Sequence, residues 1–149
     1  MSKAVTDGLK KVLSDTFVLY FKTHSFHWNV EGPHFKALHE LFEEQYTELW
    51  TATDEIAERL RTLGEYAPNN LEAMIKYASL GESGQTPDSK AMIDMLASDN
   101  TAIVDTMRPV LHTAQEKDDD VTMDMMIRRM AVHEKAAWML RSMGKNGAA

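Results

Sequence analysis

The chain has 149 residues, no cysteine and a formal charge of −7 at pH 7. That length suits one domain whose core needs no staples, and the missing thiols exclude disulfides, thiolate metal sites and a cysteine nucleophile. The acidic balance disfavours DNA as a partner, because phosphate neutralisation requires surplus Lys and Arg. Residues Met1 to Asp7 lack the apolar run of a signal peptide, and no segment reaches membrane-spanning length, so a cytoplasmic protein is expected.

In chain order, Val5, Leu9, Val12, Leu13, Phe17, Tyr20, His24 and His27 recur in steps of three and four, which predicts a helix over about 4–31. Gly8 weakens this helix without breaking the pattern. Gly32-Pro33 ends it, since proline removes a donor and restricts the residue before it. A second run, Phe35, Leu38, Phe42, Tyr46, Leu49, Thr53, Ile56, Leu60, Leu63, predicts a long helix over 34–63 with Gly64 as its stop. Residues 71–80 could make two turns. The loop from Gly81 to Pro87 predicts Thr86 as a cap and Pro87 as the first helical position of a helix over 87–115, kinked at Pro109. Lys117-Asp118-Asp119-Asp120 opens a last helix over 119–143, with Met123, Met126, Met130, His133, Ala137 and Leu140 on its stripe and Gly144 at its end. The eleven methionines read as fillers of an irregular helical core. Four long helices, a short first connection and a long second one predict an all-α, ferritin-like four-helix bundle with a short extra helix in the crossover, spanning 1–149 as one domain.

Four of the six histidines (His24, His27, His34, His39) lie within sixteen residues around the Gly32-Pro33 break. Folding the first two helices antiparallel brings His27 and His39 to one level. Downstream, Asp54 and Glu58 share a helix face at i, i+4. Imidazole and carboxylate together make a metal-ligand set that suits Fe(II) and also Mn, Zn and Co. Yet fifteen residues separate His39 from Asp54 on one uninterrupted helix, about 22 Å at 1.5 Å per residue. The four cannot hold one ion within a single chain. Their angular offset is only about 60°, so two copies packed antiparallel about a twofold axis would bring His39 of one to Asp54 and Glu58 of the other, twice per dimer. Glu43, Thr47 and Trp50 would line that interface.

The pattern His27-Trp28-Asn29-x-x-Gly32-x-x-Phe35-x-x-Leu38-His39, then Asp54-x-x-x-Glu58-Arg59-x-x-x-Leu63-Gly64, resembles the Dps family, the DNA-binding proteins from starved cells or mini-ferritins. The resemblance implies a dodecameric shell that oxidises Fe(II), with hydrogen peroxide in preference to oxygen, and stores Fe(III). It implies His27 and His39 as ligands from one subunit and Asp54 and Glu58 from its twofold partner. Glu43 falls where a further acidic ligand is often found, and Trp28 where an aromatic lies near the iron. His24 continues the first helix's stripe as a core or supporting residue. The resemblance also makes Asp119, Asp120 and Asp124 candidates for lining iron-entry pores, although the same acids could simply complement the positive end of the last helix. A nucleoid-compacting DNA-binding role is the rival reading. Here only Lys3 precedes the amphipathic pattern, and the end of the chain offers only Lys145.

Overall fold

A computed structural model describes residues 2–147. They form α1 (Lys3–Asn29), α2 (Phe35–Thr62), α3 (Leu71–Ile75), α4 (Ser89–Glu116) and α5 (Asp120–Met143), with a 3₁₀ turn at Lys145–Gly147 and no strand among the described residues. Ser2 caps α1 by accepting from the Val5 N–H, so the helix starts as soon as a capping hydroxyl is available. It ends before Gly32-Pro33, where Gly32 takes φ +119°, a conformation open to glycine and strained for other residues. The link of five residues between α1 and α2 is too short for anything but an antiparallel hairpin.

The buried stripes follow the helical period. Leu9, Leu13 and Leu19 of α1 meet Phe42, Ile56 and Leu60 of α2, Leu96, Ile103 and Met107 of α4, and Met126 and Leu140 of α5 in one core. Met92, Met107 and Met126 are fully buried, as filler methionines should be. The closest helix pairs are α1 with α2, α4 with α5, and α1 with α4. Gly8 lets α4 approach α1: a Cβ at that position would lie 2.7 Å from Val110 Cγ2. Between α2 and α5 the contacts include Arg59, which donates to Asp119 and Thr122, and Arg129, which pairs with Glu48.

Two expectations need correction. The crossover helix is one short turn, Leu71–Ile75, rather than two turns over 71–80. What orders the rest of that segment is Asp15 of α1, wholly buried, which accepts from the Ser79 N–H and hydroxyl, the Leu80 N–H and the Thr106 hydroxyl. The cap of α4 is Asp88, whose carboxylate accepts from the Ala91 N–H, and Pro87 sits just outside the helix. The Asp88 side chain sits at the positive helix end, where an acceptor is favoured, and the Thr86 hydroxyl lies two residues too early to serve. The helix continues through Pro109.

Candidate metal centre

His27 and His39 are brought face to face. Their rings stack with centroids 3.8 Å apart and 15° between planes. Nδ1 of each lies 2.7 Å from the backbone carbonyl oxygen of the other. A carbonyl only accepts, so both Nδ1 atoms carry hydrogen, and in the neutral rings Nε2 is the nitrogen that keeps its lone pair. The local cause is visible in the helix: the His27 carbonyl belongs to the last turn of α1 and has no intrahelical partner, so His39 supplies one. The two imidazoles are therefore held in orientation by these bonds, as supporting hydrogen bonds hold histidines in metal sites.

Glu43, one turn after His39, places Oε1 4.0 Å from His27 Nε2. Two imidazole nitrogens and a carboxylate suit a first-row divalent ion. Asp54 and Glu58 are elsewhere on α2, both exposed and both away from the histidine pair. Among the described residues of the single chain, no three His, Cys, Asp or Glu side chains converge on one ion. In the single chain, His27 of α1 and His39 of α2 lie together, and Asp54 and Glu58 lie further along α2, exposed.

On α1, His24 lies three residues before His27 and Trp28 directly after it. His24 is half-buried, stacked flat on Tyr46 and hydrogen-bonded through Nδ1 to the Tyr20 hydroxyl at 2.8 Å. Burial, with His27 nearby, holds its pKa below the usual histidine value. Trp28 is exposed and leans on His24, with centroids 4.4 Å apart, rather than on His27. The aromatic grouping of Tyr20, Tyr46 and Trp50 beside His24 was not read from the sequence. Tyr20 and His24 are four residues apart and could have been paired on that ground, whereas Tyr46 comes from the other helix and gave no local signal.

The acidic residues of α5 divide. Asp119 is its cap: it accepts from the Thr122 N–H and hydroxyl and pairs with Arg59 at 2.7 Å. Burial pushes its carboxyl up, but the Thr122 hydrogen bonds and the Arg59 charge outweigh that and hold it below the ordinary carboxylate value. Asp120 and Asp124 are exposed, the latter paired with Arg128. His133 is buried in the core, bonded through Nδ1 to Asn100 and through Nε2 to Arg129.

A ferritin-like domain family matches residues 6–148. The DNA protection during starvation protein 2 of Bacillus anthracis is 36% identical over 142 residues, covering 95% of this chain and 97% of that protein. The solved structure of Dps from Thermosynechococcus elongatus superposes with a TM-score of 0.92 at 30% identity, covering 96% and 91% of the two chains. A Dps protein from Vibrio cholerae O1, described as a member of a broad superfamily of ferritin-like diiron-carboxylate proteins, superposes with a TM-score of 0.89 at 30% identity, covering 95% and 89%.

Proposed function

The chain belongs to the Dps family within the ferritin-like superfamily, and from that premise we propose that it is a ferroxidase and iron-storage cage. It oxidises Fe(II), preferentially with hydrogen peroxide, and retains Fe(III). The observation that carries this reading is the reciprocal lock of His27 and His39, which leaves two nitrogen lone pairs beside Glu43 with no ligand from their own chain to complete the set. Asp54 and Glu58 of a twofold partner complete it, and twelve subunits assembled from such dimers enclose the product. Zinc, manganese and cobalt compete for the same donors. Among the described residues, no helix is long and apolar enough to cross a membrane.

The residues divide the work simply. His27 and His39 hold Fe(II) as substrate through Nε2 and are kept from rotating by each other's backbone. Asp54 and Glu58 supply negative charge that favours Fe(III) over Fe(II). Glu43 extends the carboxylate set toward a second ion. Two ferrous ions give peroxide both electrons it needs, so no hydroxyl radical leaves the site.

Complementation tests the shared site. A His27→Ala/His39→Ala chain and an Asp54→Asn/Glu58→Gln chain should each assemble and each lose rapid peroxide-dependent iron oxidation. Refolded together, each mixed dimer regains one intact site and activity returns, as isologous geometry requires. Mixtures no more active than their parents would sink the intersubunit site.

A further inference from the structure

The α2 face that carries His39, Glu43, Asp54 and Glu58 is largely acidic, and among the described residues Phe35 and Trp50 are the large apolar side chains exposed on that helix. Phe35 is already stacked on His39 of its own chain, with centroids 4.9 Å apart. Trp50 stands beside a groove of about 300 Å³ lined by Tyr20, His24, Tyr46, Thr47 and one side of Trp50 itself. A cavity of about 150 Å³ is enough to hold a benzene ring, so this one has room for a further aromatic side chain. Its walls are rings: Tyr20 lies 5.3 Å from Trp50 and 6.3 Å from Tyr46, centroid to centroid. The Tyr20 hydroxyl, hydrogen-bonded to His24 Nδ1 at 2.8 Å, keeps an oxygen lone pair for an indole N–H. An exposed indole next to a ring-lined groove is a self-complementary patch, which is what an isologous interface requires.

The proposed shared site sets a register for that patch. When His39 of one chain meets Asp54 and Glu58 of the other, the twofold axis passes midway between them, beside Thr47 and Glu48. The indole at position 50 of one chain then stands level with Gln45 and Tyr46 of the facing chain. Tyr20 lies at the same level: α1 and α2 are antiparallel with His27 against His39, so Tyr20, seven residues before His27, matches Tyr46, seven residues after His39. We propose that Trp50 is the key of the twofold interface: each indole seats in the partner's groove between Tyr20 and Tyr46, and this reciprocal contact fixes the register that delivers Asp54 and Glu58 to the histidine pair. The inference rests on the shared-site reading for its axis. Tyr46 carries the contact to the metal ligands, since it meets His27 edge-on at 5.1 Å and lies flat on His24 at 3.7 Å. Trp50 is therefore a positioning residue that touches no metal. Trp28, exposed as well, leans on His24 and Phe21 of its own chain and leaves the groove free.

Three measurements on the assembled, iron-free protein test it. In the first, Trp50 is replaced by the photo-crosslinker p-benzoylphenylalanine, which keeps an aromatic side chain, and these chains are assembled with heavy-isotope-labelled wild-type chains. Irradiation followed by mass spectrometry should link light chains to heavy ones at the peptide holding Tyr20 or at the one holding Gln45, Tyr46 and Thr47. Links that stay within one chain, or that join chains at any other segment, overturn the proposal. In the second, sedimentation at serial dilution compares wild type with Trp50→Ala and Trp50→Phe. The alanine variant should dissociate at a concentration higher by about tenfold or more, with phenylalanine recovering part of the loss; equal dissociation of wild type and Trp50→Ala overturns the proposal. In the third, zinc is titrated at concentrations that keep Trp50→Ala assembled, and its binding should weaken several-fold; unchanged zinc binding shows that Trp50 does not set the register. Peroxide-dependent iron oxidation by the wild type separates the two readings. The expected cross-link without iron oxidation overturns the ferroxidase reading and leaves Trp50 in its groove, whereas rapid oxidation with a cross-link elsewhere does the reverse. Should Trp50→Ala fail to assemble at any concentration, the cross-linked peptides still decide the outcome.

Discussion

At the scale of single residues, the chain pairs its histidines in two different ways. His27 and His39 turn their Nδ1 atoms to backbone carbonyls, which leaves Nε2 for the proposed metal. His133 spends both ring nitrogens, one on Asn100 and one on Arg129, and is sealed in the core. Burial, aided by the Arg129 charge, pushes its pKa from 6.5 down to about 3. Unfolding releases it to water, where it takes up a proton below about pH 6.5. The unfolded chain therefore binds more protons across the window from about 6.5 to about 3, so stability falls as pH drops through it and is fully regained above it. The slope this one group adds is at most about 1.4 kcal/mol per pH unit. Urea unfolding of wild type and His133→Leu between pH 4 and 6.5 should show the shallower acid slope in the variant; equal slopes would refute the assignment. The stripe position of His133 told only that it faces inward. Its partners come from other turns and another helix, and no spacing rule reaches Asn100.

At the scale of elements, four helices were legible because the 3.6-residue period is strong and Gly32-Pro33 and Gly64 punctuate it. The crossover was less so. Its short apolar run suggested two turns of helix, and the protein instead holds residues 79–80 with a buried carboxylate sixty-four and sixty-five residues away. Gly8 shows the same limit. By propensity alone Gly8→Ala should stabilise α1 by about 1 kcal/mol. The added methyl group would meet Val110 Cγ2 at 2.7 Å, and a β-branched side chain packed between helices has little room to turn. Overpacking of this kind costs about 1–3 kcal/mol, so a net loss is expected. In a Val110→Ala background the same Gly8→Ala change should become stabilising. Thermal unfolding of the four proteins in that cycle reads the sign directly, and an unchanged sign would show that α1 and α4 do not meet there as tightly as described.

At the scale of the whole molecule, the proposed shared site links assembly to activity. Trp50 lies on α2 between His39 and Asp54 and is 61% exposed in the single chain. A large apolar ring in that position marks a surface awaiting cover. Trp50→Glu should leave the helical content of the chain intact while reducing dimers and larger assemblies in light scattering, and peroxide-dependent iron oxidation should fall with them. An assembled but inactive variant, or an active monomer, would separate the two properties. The charge of −7 bears on the rival DNA-binding reading. The first lysine, Lys3, belongs to α1 and is paired with Asp7. Each phosphate contact needs a free cation, so no mobility shift of duplex DNA is expected at physiological salt, and a salt-sensitive shift would reverse that expectation.

The sequence by itself determined the helical stripes, the punctuation between them and the impossibility of one ion touching His39 and Asp54 of the same chain. Those follow from local chemistry and from the fixed rise of a helix. It also carried the motif intervals that mark the family. Only tertiary structure decided that His27 and His39 lock each other through their carbonyls, that Asp119 is occupied as a cap while Asp120 and Asp124 stay exposed, and that Tyr20, His24 and Tyr46 form one cluster. Each of those depends on which atoms two separate helices present to each other, and a one-dimensional pattern does not contain that distance.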